Sequence, residues 1–191
     1  MMEAVETAPP VVPSRTGVWV GIAAITMSFA AYTSAMLVRE SAAADWAHFH
    51  LPAILYWNTL VLLASSGTLE MARRRLALPE AAGAARAGQG LLAATLALGL
   101  LFVAGQVMAW RQLAAQGVYL ATGPSASFFY VFTVLHALHL LGGVIGLVVT
   151  SARVRADGGT RALAALGSAS VYWHFMAVLW VYLLVVLTIE V

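Results

Sequence analysis

The chain has 191 residues, of which 62% are hydrophobic and 9% charged, with a mean hydropathy of +0.88. A soluble domain carries about a quarter charged residues, so this composition cannot dress a water-facing surface, and a soluble globule is excluded. All ten basic residues are arginine against eight acids. The pI near 9.3 therefore reflects few titratable groups, and no basic stripe with interleaved aromatics marks a nucleic-acid partner. Cysteine is absent, which removes disulfides, iron–sulfur ligation, covalent haem attachment and thiolate metal sites from this chain.

Crossing about 30 Å of hydrocarbon takes roughly 20 apolar residues in a helix. Five runs of that kind follow one another: 17–38, 52–69, 87–110, 125–150 and 168–189. They end at charge, at Arg39-Glu40, at Glu70 with Arg73, Arg74 and Arg75, at Arg111, at Arg153 with Arg155, and at Glu190. Each is about twice the length of a barrel strand, and lone strands cannot satisfy their backbone in lipid, so the runs are expected as helices. The connections are short. The longest, around Arg73 to Gly88, is too small for an extramembrane domain. The expected fold is all-α, a single integral membrane bundle of five transmembrane helices over 17–191, preceded by a disordered cytoplasmic tail over 1–16. Arg15, Arg73, Arg74, Arg75, Arg86, Arg153, Arg155 and Arg161 fall on one side, against Arg39 and Arg111 on the other. The positive-inside rule then puts the N-terminus inside and the C-terminus outside. Glu3 and Glu6 spoil a signal peptide's basic start. Trp19, Tyr56, Trp57, Trp110 and Trp173 lie near span ends, where amphipathic rings suit the headgroup boundary.

The informative residues are the polar ones inside the spans: Asn58, Ser65, Ser66, Thr68, Gln106, His136, His139 and His174. A polar group in hydrocarbon needs a partner, so each is either interhelical glue or a functional site. His136 and His139 share one helical face and could together ligate metal or haem. Counted along opposed helices, His139 lies about 16 Å and His174 about 9 Å from the same boundary, an offset that disfavours one shared metal. Bonding between helices, haem or metal ligation, and proton handling all stay open for the three. The Gly142-x-x-x-Gly146 spacing suits close backbone approach and suggests a central fourth helix. The hydroxyls of Ser65, Ser66 and Thr68 can reach neighbouring helices or their own preceding carbonyls. Gln106 sits near the outer end of its span, within expected reach of water. Mid-membrane acids are absent, which weighs against a pump or a small transporter. His48 and His50 read as a wet loop without a role. Arg73, Arg74, Arg75, Arg153 and Arg155 suit anionic phospholipid headgroups.

Several of these pieces together resemble subunit III of the haem–copper terminal oxidases, the cytochrome c and quinol oxidase family, in a five-helix form. They are Gly17-Val18-Trp19 opening the first span, Asn58-Thr59-x-x-Leu62-Leu63-x-Ser65-Ser66 in the second, and Gln106 in the third. His136-x-x-His139-x-x-x-Gly143 follows in the fourth span, and Tyr172-Trp173-His174-Phe175-x-x-Val178-x-Trp180 in the last. The resemblance implies a noncatalytic subunit of the bacterial inner membrane that packs on subunit I and holds structural lipids. It would support aerobic electron transport and proton translocation by the complex, and could join a respiratory supercomplex. Haem and copper would sit on partner subunits and none on this chain; its motif residues Asn58, Ser65, Ser66, Gln106, His136, His139, Gly143, Trp173, His174 and Trp180 would serve helix packing. Three acidic positions of the family pattern are replaced, by Ile25, Ala109 and Ala177, so no carboxylate proton pathway carries over. The rival reading is a b-type membrane cytochrome with His136, His139 and His174 as haem ligands. The leading expectation is a polar, close-packed surface on helices two, four and five, with His139 and His174 bonding between helices.

Overall fold

A computed structural model describes residues 15–42, 44–78, 83–156 and 159–190. Most of the expected tail lies outside them, and the described chain is already helical at Arg15. Five helices follow in order: α1 Arg15–Ala42, α2 Ile54–Leu76, α3 Ala84–Ala115, α4 Pro124–Ala156 and α5 Thr160–Glu190, with no strand among the described residues. The helices overrun the apolar runs because the flanks are rich in alanine and arginine, good helix formers that need no hydrocarbon around them. Thus α2 continues through Arg73–Arg75 to Leu76, α3 starts at Ala84, and α5 starts at Thr160 instead of near Ser168. The long second connection expected from the apolar pattern is therefore mostly helix, and Gly83 enters α3 with φ +91°, a left-handed backbone that glycine adopts without strain.

By length and composition α1, α3, α4 and α5 are apolar enough to cross a membrane. Helix α2 falls short because Tyr56, Trp57, Asn58, Thr59, Ser65, Ser66 and Thr68 dilute its leucines. Among these, Asn58, Thr59, Ser65 and Thr68 tie it to its neighbours. Helices α2 and α3 form a close antiparallel pair; α3 also meets α4, α2 also meets α5, and α4 meets α5, so the four make a closed ring. Helix α1 lies outside this ring, against α4 and α5 only. One stripe of it is buried, Ile22, Ile25, Phe29 and Met36, at the spacing of a single helical face. Phe29 anchors that stripe, stacking on Phe132 at 6.2 Å and meeting the His139 ring edge-on at 6.0 Å.

Phe102, Trp173 and Trp180 fill the ring, and Phe129 and Phe132 of α4 are buried against the α1–α2 connection and α1; all five are essentially inaccessible. Trp173 thus departs from the headgroup position expected of it. It sits in the core because its indole N–H has a partner there, whereas Trp19 and Trp57 are exposed at their helix ends.

Candidate functional site

The polar residues singled out in the spans converge mainly on the seam between α2, α3 and α5. Asn58 Nδ2 donates to the backbone oxygen of Phe102 on α3 at 2.9 Å, and Ser65 Oγ to that of Thr95 at 3.1 Å. Thr68 and Thr95 join their hydroxyls at 2.9 Å. From α5, Trp173 Nε1 donates to Ser65 Oγ at 3.1 Å and Trp180 Nε1 to Thr59 Oγ1 at 2.9 Å. Ser65 is the hub, accepting from α5 and donating to α3. Such bonds need backbones close enough for short side chains to reach across, and glycine makes the room. A Cβ at Gly99 would lie 2.8 Å from the Trp173 ring, and one at Gly105 would run into the Asn58 amide. Neither glycine stood out in the sequence, where no x-x-x spacing marks them; facing a partner's large polar side chain was the missing signal.

On α4 the expectations need revision. The close approach occurs at Gly143, where a Cβ would stand 3.0 Å from Tyr172, while Gly142 and Gly146 have open space beside them. His139 does not bond across helices through its ring. Its Nδ1 pairs with the Leu135 oxygen of its own helix at 2.7 Å, and it is the His139 backbone oxygen that accepts from Tyr172 Oη of α5 at 3.0 Å. Tyr172 is long enough to span the α4–α5 gap, whereas the imidazole one turn from Leu135 finds a nearer acceptor. His174 is partly buried, and among the described residues its ring makes no interhelical hydrogen bond of the kind expected for it. The seam therefore runs mainly through α2, α3 and α5, with α4 joined by the Tyr172 bond to the His139 backbone, by a bond from Trp110 to Thr133 and by aromatic contacts.

His136 is wholly buried, its ring 5.1 Å from that of Trp180 and 6.0 Å from that of Phe102. Gln106 is also closed off, 1% exposed, instead of being within reach of water. Trp110 Nε1 of α3 donates to Thr133 Oγ1 of α4 at 3.1 Å. Among the described residues no three His, Cys, Asp or Glu side chains stand close enough to hold a metal ion. The His136 ring is packed against Trp180 and Phe102. The b-type cytochrome reading is not supported.

At the arginine-rich end, Glu70 is held by Arg73 Nε at 2.9 Å and Arg74 Nε at 2.7 Å, both largely exposed pairs. Between α1, α4 and α5 lies a groove of about 470 Å³, lined by Val18, Gly142, Gly146, Arg153, Ser168 and Tyr172 among others. At the other end Arg39 pairs with Asp45 at 3.0 Å, and His48 and His50 are exposed.

The family model for cytochrome c oxidase subunit III matches residues 20–189. The chain is 32% identical over 163 residues to a probable cytochrome c oxidase subunit 3 of Mycobacterium bovis, covering 83% of this chain and 77% of the relative. It is 29% identical over 135 residues to cytochrome c oxidase subunit 3 of Corynebacterium diphtheriae, covering 70% and 63%. Cytochrome c oxidase subunit 3 of a Synechocystis species is 30% identical over 130 residues, 67% of this chain and 53% of that one. A match over nearly the whole helical part, with the polar seam built from the motif residues themselves, leads to one conclusion: the chain belongs to the cytochrome c oxidase subunit III family.

Proposed function

We propose that this chain is a noncatalytic, five-span subunit III that stabilises the haem- and copper-bearing subunit I of a terminal oxidase in a bacterial cytoplasmic membrane. The N-terminus lies inside and the C-terminus outside, as the arginine distribution favours. Helix α2 crosses with the others, its polar residues covered by α3 and α5. The observation that carries the scaffold role is the bonded seam. Three polar side chains of α2 bond to neighbouring helices: Asn58 donates to Phe102, Ser65 donates to Thr95 and accepts from Trp173, and Thr59 accepts from Trp180, as expected of residues that hold helices together. Oxygen chemistry belongs to partner subunits that carry haem and copper.

Phospholipid is the second partner. Arg73, Arg74, Arg75, Arg153 and Arg155 cluster at the inner surface, where each arginine contributes about 1 kcal/mol toward anionic headgroups. The groove beside Arg153 is apolar along the helices and cationic at its mouth, the pattern of an acyl chain below a phosphate. Gentle purification from the native membrane tests the proposal. The expected result is a haem- and copper-bearing chain co-purifying with this one and anionic lipid retained. Recovery alone, with haem bands from the chain expressed by itself, would overturn it.

A further inference from the structure

Four buried polar atoms gather in one layer of the bundle with no hydrogen-bond partner among the described residues: both amide atoms of Gln106 and both ring nitrogens of His136. Their proximity follows from register. The Trp110–Thr133 bond fixes antiparallel α3 against α4, and a Cβ at Gly99 would stand 3.9 Å from Val144, which continues the same register toward the arginine-rich end. Gln106 is four residues from Trp110, about 6 Å along α3. His136 is three residues from Thr133, about 4.5 Å along α4 in the same direction. Phe102, one turn from Gln106 on the same face of α3, touches the His136 ring at 6.0 Å. The amide and the imidazole therefore occupy one level of the α3–α4 seam.

Both polar atoms of each group stand without a partner among the described residues. The neighbouring nitrogen donors are already committed: Asn58 Nδ2 to Phe102, Trp180 Nε1 to Thr59, Trp110 Nε1 to Thr133, and His139 Nδ1 to Leu135. Phe102 and Trp180 pack against the His136 ring and hold its tilt. Buried amides and imidazoles are otherwise almost always paired, with protein or with ordered water.

We propose that Gln106 and His136 bind an ordered water molecule between them, an internal hydration site that bridges α3 to α4. An uncharged imidazole offers one donor and one acceptor, an amide offers both, and water matches either with two donors and two acceptors. The site ties α3 to α4 at a level where their direct side-chain bonding is confined to Trp110 and Thr133. It stands independently of the oxidase reading, since it depends only on groups within this chain.

The test uses the full chain in whatever membrane complex it is purified with. A density map that resolves waters is expected to show a peak within about 3 Å of the Gln106 amide and of a His136 nitrogen. A direct Gln106–His136 bond, or dry apolar packing around both, would overturn the proposal. Gln106→Leu, His136→Phe and the double variant supply a second readout, the temperature at which the folded chain leaves the complex. Each single change strands the other group and lowers that temperature; the double change removes both groups and lowers it by less than the sum. Additive losses would overturn the bridge even where one variant folds poorly, since the map of the native chain stands apart from it.

Discussion

The bundle holds its helices by two different means. Across α2, α3 and α5 the backbones approach closely at Gly99 and Gly105, and hydrogen bonds from Asn58, Ser65, Trp173 and Trp180 cross the gap. Helix α1, by contrast, leans on α4 and α5 through one apolar stripe, a side-chain bond from Tyr182 Oη to Thr33 Oγ1 at 2.9 Å, and a groove where Gly142 and Gly146 of α4 face open space. Its own hydroxyls are spent locally, Thr26 on Ile22, Ser28 on Ala24 and Thr33 on Phe29. Lipid tails are as apolar as leucine, so burying an apolar stripe gives a membrane helix little net drive, whereas close packing and polar bonds do. The ring is thus the rigid part, and α1 is the part whose position depends on what lies beside it.

The comparison breaks first at Gly99. An added methyl would press on the ring of Trp173, a rigid core group with nowhere to move. Gly99→Ala is expected to destabilise the bundle by about 1–3 kcal/mol despite alanine's better helix propensity, read as earlier loss of the chain from its complex on heating. A mild effect there would mean that the ring is as adaptable as the α1 side. Next comes the Ser65 hub. In a cycle of Ser65→Ala and Trp173→Phe, the coupling should be about 0.6–1.7 kcal/mol, the range for bonds between membrane helices. Additivity would remove the hydrogen bond from the account of this seam. His139→Phe should cost less than either change: the ring bonds only its own helix at Leu135, and a phenyl ring can keep the edge contact with Phe29. A loss as large as that at Ser65 would show that the imidazole serves another chain.

Much of this was legible in the sequence, for a physical reason. Apolar runs of membrane length can only be helices, and a polar residue within one has to bond to something, so Asn58 and Ser65 stood out at once. What the pattern could not supply was the partner's identity. Ser65 bonds Thr95, a residue without distinction in its span, and its second partner, Trp173, looked like a headgroup residue by position alone. The histidines show the same limit. A spacing of three puts His136 and His139 on one face, but only the neighbouring helices decide that one ring meets Phe102 and Trp180 while the other turns back to Leu135. The glycine pattern misled because Gly142-x-x-x-Gly146 describes a groove without naming its filling; the closer contacts fell at Gly143, Gly99 and Gly105.

The smallest expected effect sharpens the contrast most. Gly146→Ala places a methyl where nothing lies within 4 Å, and replacing a helical glycine by alanine gains about 1 kcal/mol of propensity. For the chain stripped of lipid, heating should therefore show stability unchanged or slightly raised, the opposite sign to Gly99→Ala. In native membrane the sign depends on the groove. A methyl at Gly146 takes volume from the space beside Arg153 and Tyr172, so a phospholipid seated there binds less well. Measured by the anionic lipid retained after gentle extraction, Gly146→Ala should lose lipid while the bundle stays folded, and Arg153→Gln should lose it through charge alone. Full retention in both variants would leave the groove without a phospholipid, and would make the looseness of α1 a property of the chain itself instead of a place kept for a partner.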